Sequence, residues 1–109
     1  IVGYRTDYNL YIYNKFHDIE DKSLDIVEKI EKEFRVSLGN AYGNNWDNHI
    51  EDMVNFSKNY SELYFYFANK GDEQDDIWIS FFHNGKYYEE SLEPKYPLLD
   101  TVIAKLKCL

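Results

Sequence analysis

The sequence predicts an α+β domain, a two-layer sandwich in which helices pack on a small mixed sheet in the order β-α-α-β-β-β-α. Three observations predict it. Aromatic and β-branched runs recur at 8–13, 62–67 and 77–83, the last followed by Asn84-Gly85. Two stretches between the first two runs place apolar residues at helical spacing. A third such stretch follows Pro97. A two-layer arrangement buries the apolar stripe of each helix against one sheet face. A third layer, with helices on both faces, is the alternative.

Taken in order, "YNLYIY" at 8–13 reads as a strand buried on both faces. "FHDIEDK" is a polar connection. Ser23 is placed to cap the following helix, with Asp25 in its first turn against the helix dipole. Leu24, Val27, Ile30 and Phe34 form its apolar stripe, which Ile26 widens. The Lys/Glu face opposite is solvated. "VSLGNAYGNN" then breaks the helix, its glycines and asparagines tolerating positive φ. Asn44 or Asn45 is placed to cap the next helix, whose stripe is Trp46, Ile50, Met53 and Val54. Asp47 and Glu51 fall on the flank of that stripe, four residues apart and exposed. Such a like-charged pair costs a few tenths of a kcal/mol in an isolated helix.

"ELYFYF" at 62–67 is the second strand and "GDEQDD" an acidic loop. Asn84-Gly85 joins strands near 77–83 and 86–91 as a tight hairpin. Pro97 suits the first turn of a closing helix. Leu98, Leu99, Val102, Ile103 and Leu106 would be its buried face. The expected common core is Leu24, Val27, Ile30, Phe34, Trp46, Ile50, Met53, Phe65, Ile79, Phe81, Leu99, Val102 and Leu106.

Residues 1–109 suit one domain, since 109 residues are enough for one core and too few for two. Twelve Lys and Arg stand against 20 Asp and Glu, a net charge of -8. That balance argues against direct nucleic-acid binding, which needs cations to displace counterions, and against docking on anionic lipid. It permits a basic protein partner. No apolar run reaches the roughly 18 residues of a membrane span. A cytoplasmic location is the simpler expectation, although Ile1 rather than Met stands first.

Little points to catalysis. His17, His49 and His83 have no metal-ligand spacing, and the single cysteine, Cys108, lies in no motif. His49 near Asp52 or Glu51 is the nearest thing to a general base, but a lone helical histidine is more often structural. "GDEQDD" lacks the alternating ligands and distal Glu of an EF-hand loop, so a solvated loop is the better reading. The expectation is therefore no enzyme, no catalytic residue, no metal and no cofactor.

At Tyr42-Gly43-Asn44-Asn45-Trp46-Asp47 the sequence resembles the barstar family of ribonuclease inhibitors. The order around it is similar too: strand, helix, interrupted turn, helix, strand, over roughly residues 8–67. In that family an acidic helix plugs the phosphate-binding active site of a basic bacterial ribonuclease. The resemblance matches Asp47 to the first family aspartate and Glu51 to the second, where the family has Asp. Ala41 stands where the family often has an aromatic. After residue 70 the sequence reads as a hairpin, whereas the family places a helix before its last parallel strand. The resemblance implies an immunity protein that neutralises a bacterial nuclease toxin, most simply a ribonuclease, with no catalysis of its own.

Charge distribution supports an acidic contact surface independently. From Tyr42 to Asp76 there are eight acidic residues and two lysines, a local net of -6 out of -8. The expected partner-binding residues are Tyr42, Asn44, Asp47 and Glu51, with Asp72, Glu73, Asp75 and Asp76 of the acidic loop. The competing readings are an adaptor or oligomerising domain whose aromatic sheet edges carry the contact, and an enzyme built on His49.

Overall fold

The computed structural model describes residues 4–14, 20–73, 76–92 and 106–107. The chain forms β1 (Thr6–Asn14), α1 (Glu20–Phe34), α2 (His49–Ser57), β2 (Leu63–Gly71), β3 (Ile77–His83) and β4 (Lys86–Leu92). The strands make one sheet in the order β1-β2-β3-β4. This is an α+β fold with both helices between the first two strands. Every strand pair is antiparallel, where a mixed sheet was expected. The excursion through α1 and α2 returns the chain beside β1 and opposite to it in direction. The two later connections are too short for a parallel crossover. Of the closing helix expected over 97–107, only Leu106 and Lys107 are described, and both are helical. Among the described residues no helix is long and apolar enough to cross a membrane.

Strand alternation sends Tyr8 and Ile12 of β1, Leu63, Phe65 and Phe67 of β2, and Phe82 of β3 to the helix-covered face, where all are buried. Ile26 and Ile30 of α1, with Met53 and Phe56 of α2, complete this core. Phe56 meets Phe65 edge-on at 5.8 Å. Trp46 lies between Phe34, stacked at 5.4 Å, and Tyr8, edge-on at 5.3 Å.

The core differs from the expected one in register. The first helix starts at Glu20, so Ser23 lies within it rather than capping it. Ile26 and Ile30 point inward, Val27 and Phe34 are half-buried, and Leu24 is 69% exposed. On α2, His49 takes the inward position and Ile50 is 42% exposed. On β3, Ser80 and Phe82 face the helices, while Ile79 and Phe81 are half-buried on the other face. β1 is not buried on both faces: Tyr11 and Tyr13 are exposed, because α2 and the loop before it pack on one face of the sheet only. Leu106 is exposed, and Leu99 and Val102 lie outside the described residues.

The hairpin is as expected. Asn84 and Gly85 adopt φ of 45° and 79°, the two positive values of a tight turn between twisted strands. The Gly85 amide also donates to Ser57 Oγ at 2.8 Å, tying the turn to the end of α2. The two sheet edges are unlike. At the start of β1, Thr6 exchanges both backbone hydrogen bonds with Asn44, and the Gly39 amide donates to the Tyr8 carbonyl. At the other side all seven residues of β4 are exposed, and Lys86, Glu89 and Glu90 keep that edge charged.

Candidate functional site

The loop from Val36 to Asn48 carries the motif and is fixed by its own polar groups. Gly39 and Gly43 take φ of 71° and 81°. A Cβ at Gly43 would lie 3.0 Å from Arg5 Cβ and 3.1 Å from the Thr6 nitrogen, so glycine is required both for conformation and for the close approach to β1. Asn44 accepts from the Ser37 amide at 2.8 Å and donates to the Ser37 carbonyl at 2.6 Å. Its side chain closes the loop and does not cap α2. Asn48 occupies the cap position without a side-chain hydrogen bond. The helix accordingly begins at His49, and Asp47 sits in the turn ahead of it, not on it.

α2 is anchored through His49, Met53, Phe56 and Ser57, all buried. The His49 ring is enclosed by Tyr8, Trp46, Phe67 and Phe82, with centroids 4.6–5.3 Å away. Its Nε2 is 3.0 Å from Ser80 Oγ, which also accepts from Asn69 Nδ2 at 2.8 Å. Burial pushes the His49 pKa down to about 3, so the ring is neutral at physiological pH. The expected pairing of His49 with Asp52 does not form. Asp52 Oδ2 instead accepts from Trp46 Nε1 at 2.8 Å. His83 is likewise engaged, its Nδ1 2.9 Å from the Leu63 carbonyl and its ring stacked on Tyr64. His17 lies outside the described residues.

Asp47 and Glu51 are exposed, as expected. Neither has a hydrogen bond or ion pair among the described residues. Asp52 is thus held, whereas Asp47 and Glu51 have no such partner among the described residues.

The acidic loop is held to the N-terminal segment. Asp72 accepts from the Arg5 amide at 2.9 Å, and the Tyr4 hydroxyl donates to the Asp76 carboxylate. That hydrogen bond raises the Tyr4 pKa. The Glu73 amide donates to the same hydroxyl at 3.3 Å. Asp75 lies outside the described residues. Among the described residues no group of His, Cys, Asp and Glu is arranged to hold a metal ion.

The two candidate segments meet at one end of the sheet. Tyr42, 84% exposed, and Gly43 line a shallow groove with Arg5, Asp7, Lys70 and Asp72. The groove is mixed in charge, two cations against two carboxylates. Asp47 stands on the helix-covered side, close enough to Tyr8 to affect it. The Tyr8 hydroxyl pKa is raised chiefly by burial and lowered by a hydrogen bond with Thr6, and Asp47 and Glu89 add small upward contributions. The structure therefore brings Tyr42 and Asp72 to one groove, which neither Asp47 nor Glu51 lines.

No family model, no curated protein and no solved structure matches the chain. The antiparallel hairpin of β3 and β4 stands where the barstar resemblance would imply a helix and a last parallel strand.

Sequence reasoning missed the committed roles of Asn44, Asp52, Asn69 and Ser80. Asn69 and Ser80 carried a readable signal, as polar residues inside otherwise apolar strand runs.

Proposed function

We propose that this chain is an immunity protein that binds and neutralises a basic bacterial nuclease toxin, most simply a ribonuclease, by presenting Asp47 and Glu51 to its cationic active site. One observation carries the reading. Glu51 on α2, whose opposite side is locked into the core, and Asp47 in the turn just before that helix are both exposed and have no hydrogen bond or ion pair among the described residues. A nuclease site holds cations to bind phosphate, and a preorganised pair of carboxylates meets them with little ordering cost. Tyr42 and Asp72, which share a groove at one end of the sheet, would supply further contacts. Long-range attraction to the acidic surface speeds encounter and weakens with salt.

A second reading is an adaptor without a nuclease partner, favoured by the exposed tyrosines on the outer face of the sheet.

The test uses the purified chain as bait in lysate of its native cell. A basic nuclease should be retained, released by raised salt, and inhibited when the chain is added back. Bait carrying Asp47→Lys and Glu51→Lys should retain little of it. Capture of a neutral, non-nuclease protein by both baits would favour the adaptor.

A further inference from the structure

β4 is a sheet edge with an ordered pattern of charge. All seven of its residues are exposed, and among the described residues no strand pairs with its outer side. The two-residue turn makes its flanking residues, His83 and Lys86, a hydrogen-bonded pair. Alternation then commits the backbone groups of Lys86, Tyr88, Glu90 and Leu92 to β3. It turns the N–H and C=O of Tyr87, Glu89 and Ser91 outward. Lys86, Tyr88 and Glu90 lie opposite His83, Phe81 and Ile79, so their side chains share the sheet face turned away from α1 and α2. The Tyr88 hydroxyl donates to Glu90 at 3.1 Å, and Lys86 has no ion pair among the described residues. On the same face Tyr11, Tyr66, Phe81 and Tyr88 stand abreast across the four strands, and the row ends at the edge in Tyr88, 56% exposed. Unpaired backbone groups make such an edge a template for a further strand. Its side chains decide which strand fits.

We propose that β4 pairs antiparallel with β4 of a second copy, about a two-fold axis through Tyr88. Residues opposed across the seam must turn their backbone groups alike, so the axis passes through a residue and not between two. With the axis at Tyr88, Lys86 of each copy falls opposite Glu90 of the other. Tyr87 falls opposite Glu89, and their outward groups exchange hydrogen bonds. Tyr88 meets its own copy at a position without backbone bonds, where side chains come closer, and the two aromatic rows join into one of eight rings. The neighbouring positions fit worse. An axis at Glu89 sets that carboxylate against itself, and an axis at Glu90 does the same there. An axis at Tyr87 runs Glu89 into the turn at Gly85 and leaves Glu90 beyond the paired strand. Opposite charges facing across a pair are favourable and like charges are not, so the pattern Lys86-x-Tyr88-x-Glu90 is complementary to itself in one register. The result is a closed, isologous pair. Its interface is small and each copy carries a net charge of -8, so association is reversible. The contact uses neither Asp47 nor Glu51 and stands apart from the proposed toxin binding.

The test is sedimentation velocity on the full chain from about 1 μM to about 1 mM, over which a reversible dimer should appear. Lys86→Glu and Glu90→Lys should each weaken it about tenfold or more, because each sets like charges opposite one another at two places. The double variant Lys86→Glu with Glu90→Lys keeps the net charge at -8 and should restore the dimer. An equimolar mixture of the two single variants should form a mixed dimer for the same reason. As a second measurement, in a Cys108→Ser background, Tyr88→Cys should give a disulfide-linked dimer on mild oxidation, since paired Cα atoms about 4.5 Å apart suit that bond. Ser91→Cys, three residues from the axis, should not. A chain that stays monomeric throughout would overturn the proposal. A dimer untouched by both single variants would overturn it in favour of another face. Loss that the double variant fails to restore would overturn the register.

Discussion

His49 Nε2 lies 3.0 Å from Ser80 Oγ inside an aromatic cage, so a titratable ring on α2 is joined to the middle of the sheet in its neutral form. The unfolded chain takes up a proton below about pH 6.5, whereas the folded ring refuses it until about pH 3. Stability from this group is complete above pH 6.5. It falls by about 1.4 kcal/mol per pH unit as the pH drops through that window. Urea midpoints measured at pH 7, 5.5 and 4.5 should show the decline. His49→Phe should flatten it while costing about 1 kcal/mol at neutral pH through the lost hydrogen bond. Equal slopes for the two proteins would mean that His49 titrates normally.

Trp46 touches both helices and β1. Trp46→Ala should therefore cost about 3–5 kcal/mol, since it leaves a large cavity and frees the Asp52 carboxylate. Chemical denaturation measures this. A loss under about 1 kcal/mol would place the indole at the surface.

Gly85 combines φ of 79° with Lys58 Cε 2.9 Å from where a Cβ would lie. Gly85→Val should destabilise by about 1–3 kcal/mol, chiefly through backbone strain. Gly85→Asn should recover part of the loss, because Asn tolerates positive φ.

Asp47→Ala and Glu51→Ala should leave thermal stability within about 0.5 kcal/mol, since both side chains are exposed and have no partner among the described residues. Under the proposed function each should weaken toxin binding by about 2–5 kcal/mol, mostly through faster dissociation. Glu51→Lys should also slow association. Surface-based kinetics at two salt concentrations separate these effects, and wild-type dissociation from the double alanine variant would remove this pair from the interface.

What the sequence disclosed followed from the range of the interaction responsible. The Asn84-Gly85 turn was legible because positive φ is a demand of two adjacent residues. The exposure of Asp47 and Glu51 was legible from charge. The choice between His49 and Ile50 as the inward residue was not. Periodicity counts isoleucine as apolar and histidine as polar, yet Trp46 beside it, with three rings and the Ser80 hydroxyl from distant segments, makes a place for the imidazole. Asn44 reads locally as a helix cap, and its actual partner, Ser37, lies seven residues back across a loop. The outward turn of Ile79 and Phe81 was hidden because β3 is apolar on both sides, which leaves alternation nothing to distinguish.

The unlike edges of the sheet limit how the protein can assemble. Both outward backbone groups of Thr6 are given to Asn44 and the Tyr8 carbonyl accepts from Gly39, so the start of β1 is closed to an incoming strand. Among the described residues nothing pairs with the outer edge of β4. A unit with one reactive end behaves in polymer chemistry as a chain stopper. Strand pairing through β4 can join two molecules, while pairing at the start of β1 is blocked. The loop that carries the Tyr42–Asp47 motif thus also guards the start of β1 in a tyrosine-rich sheet against strand addition.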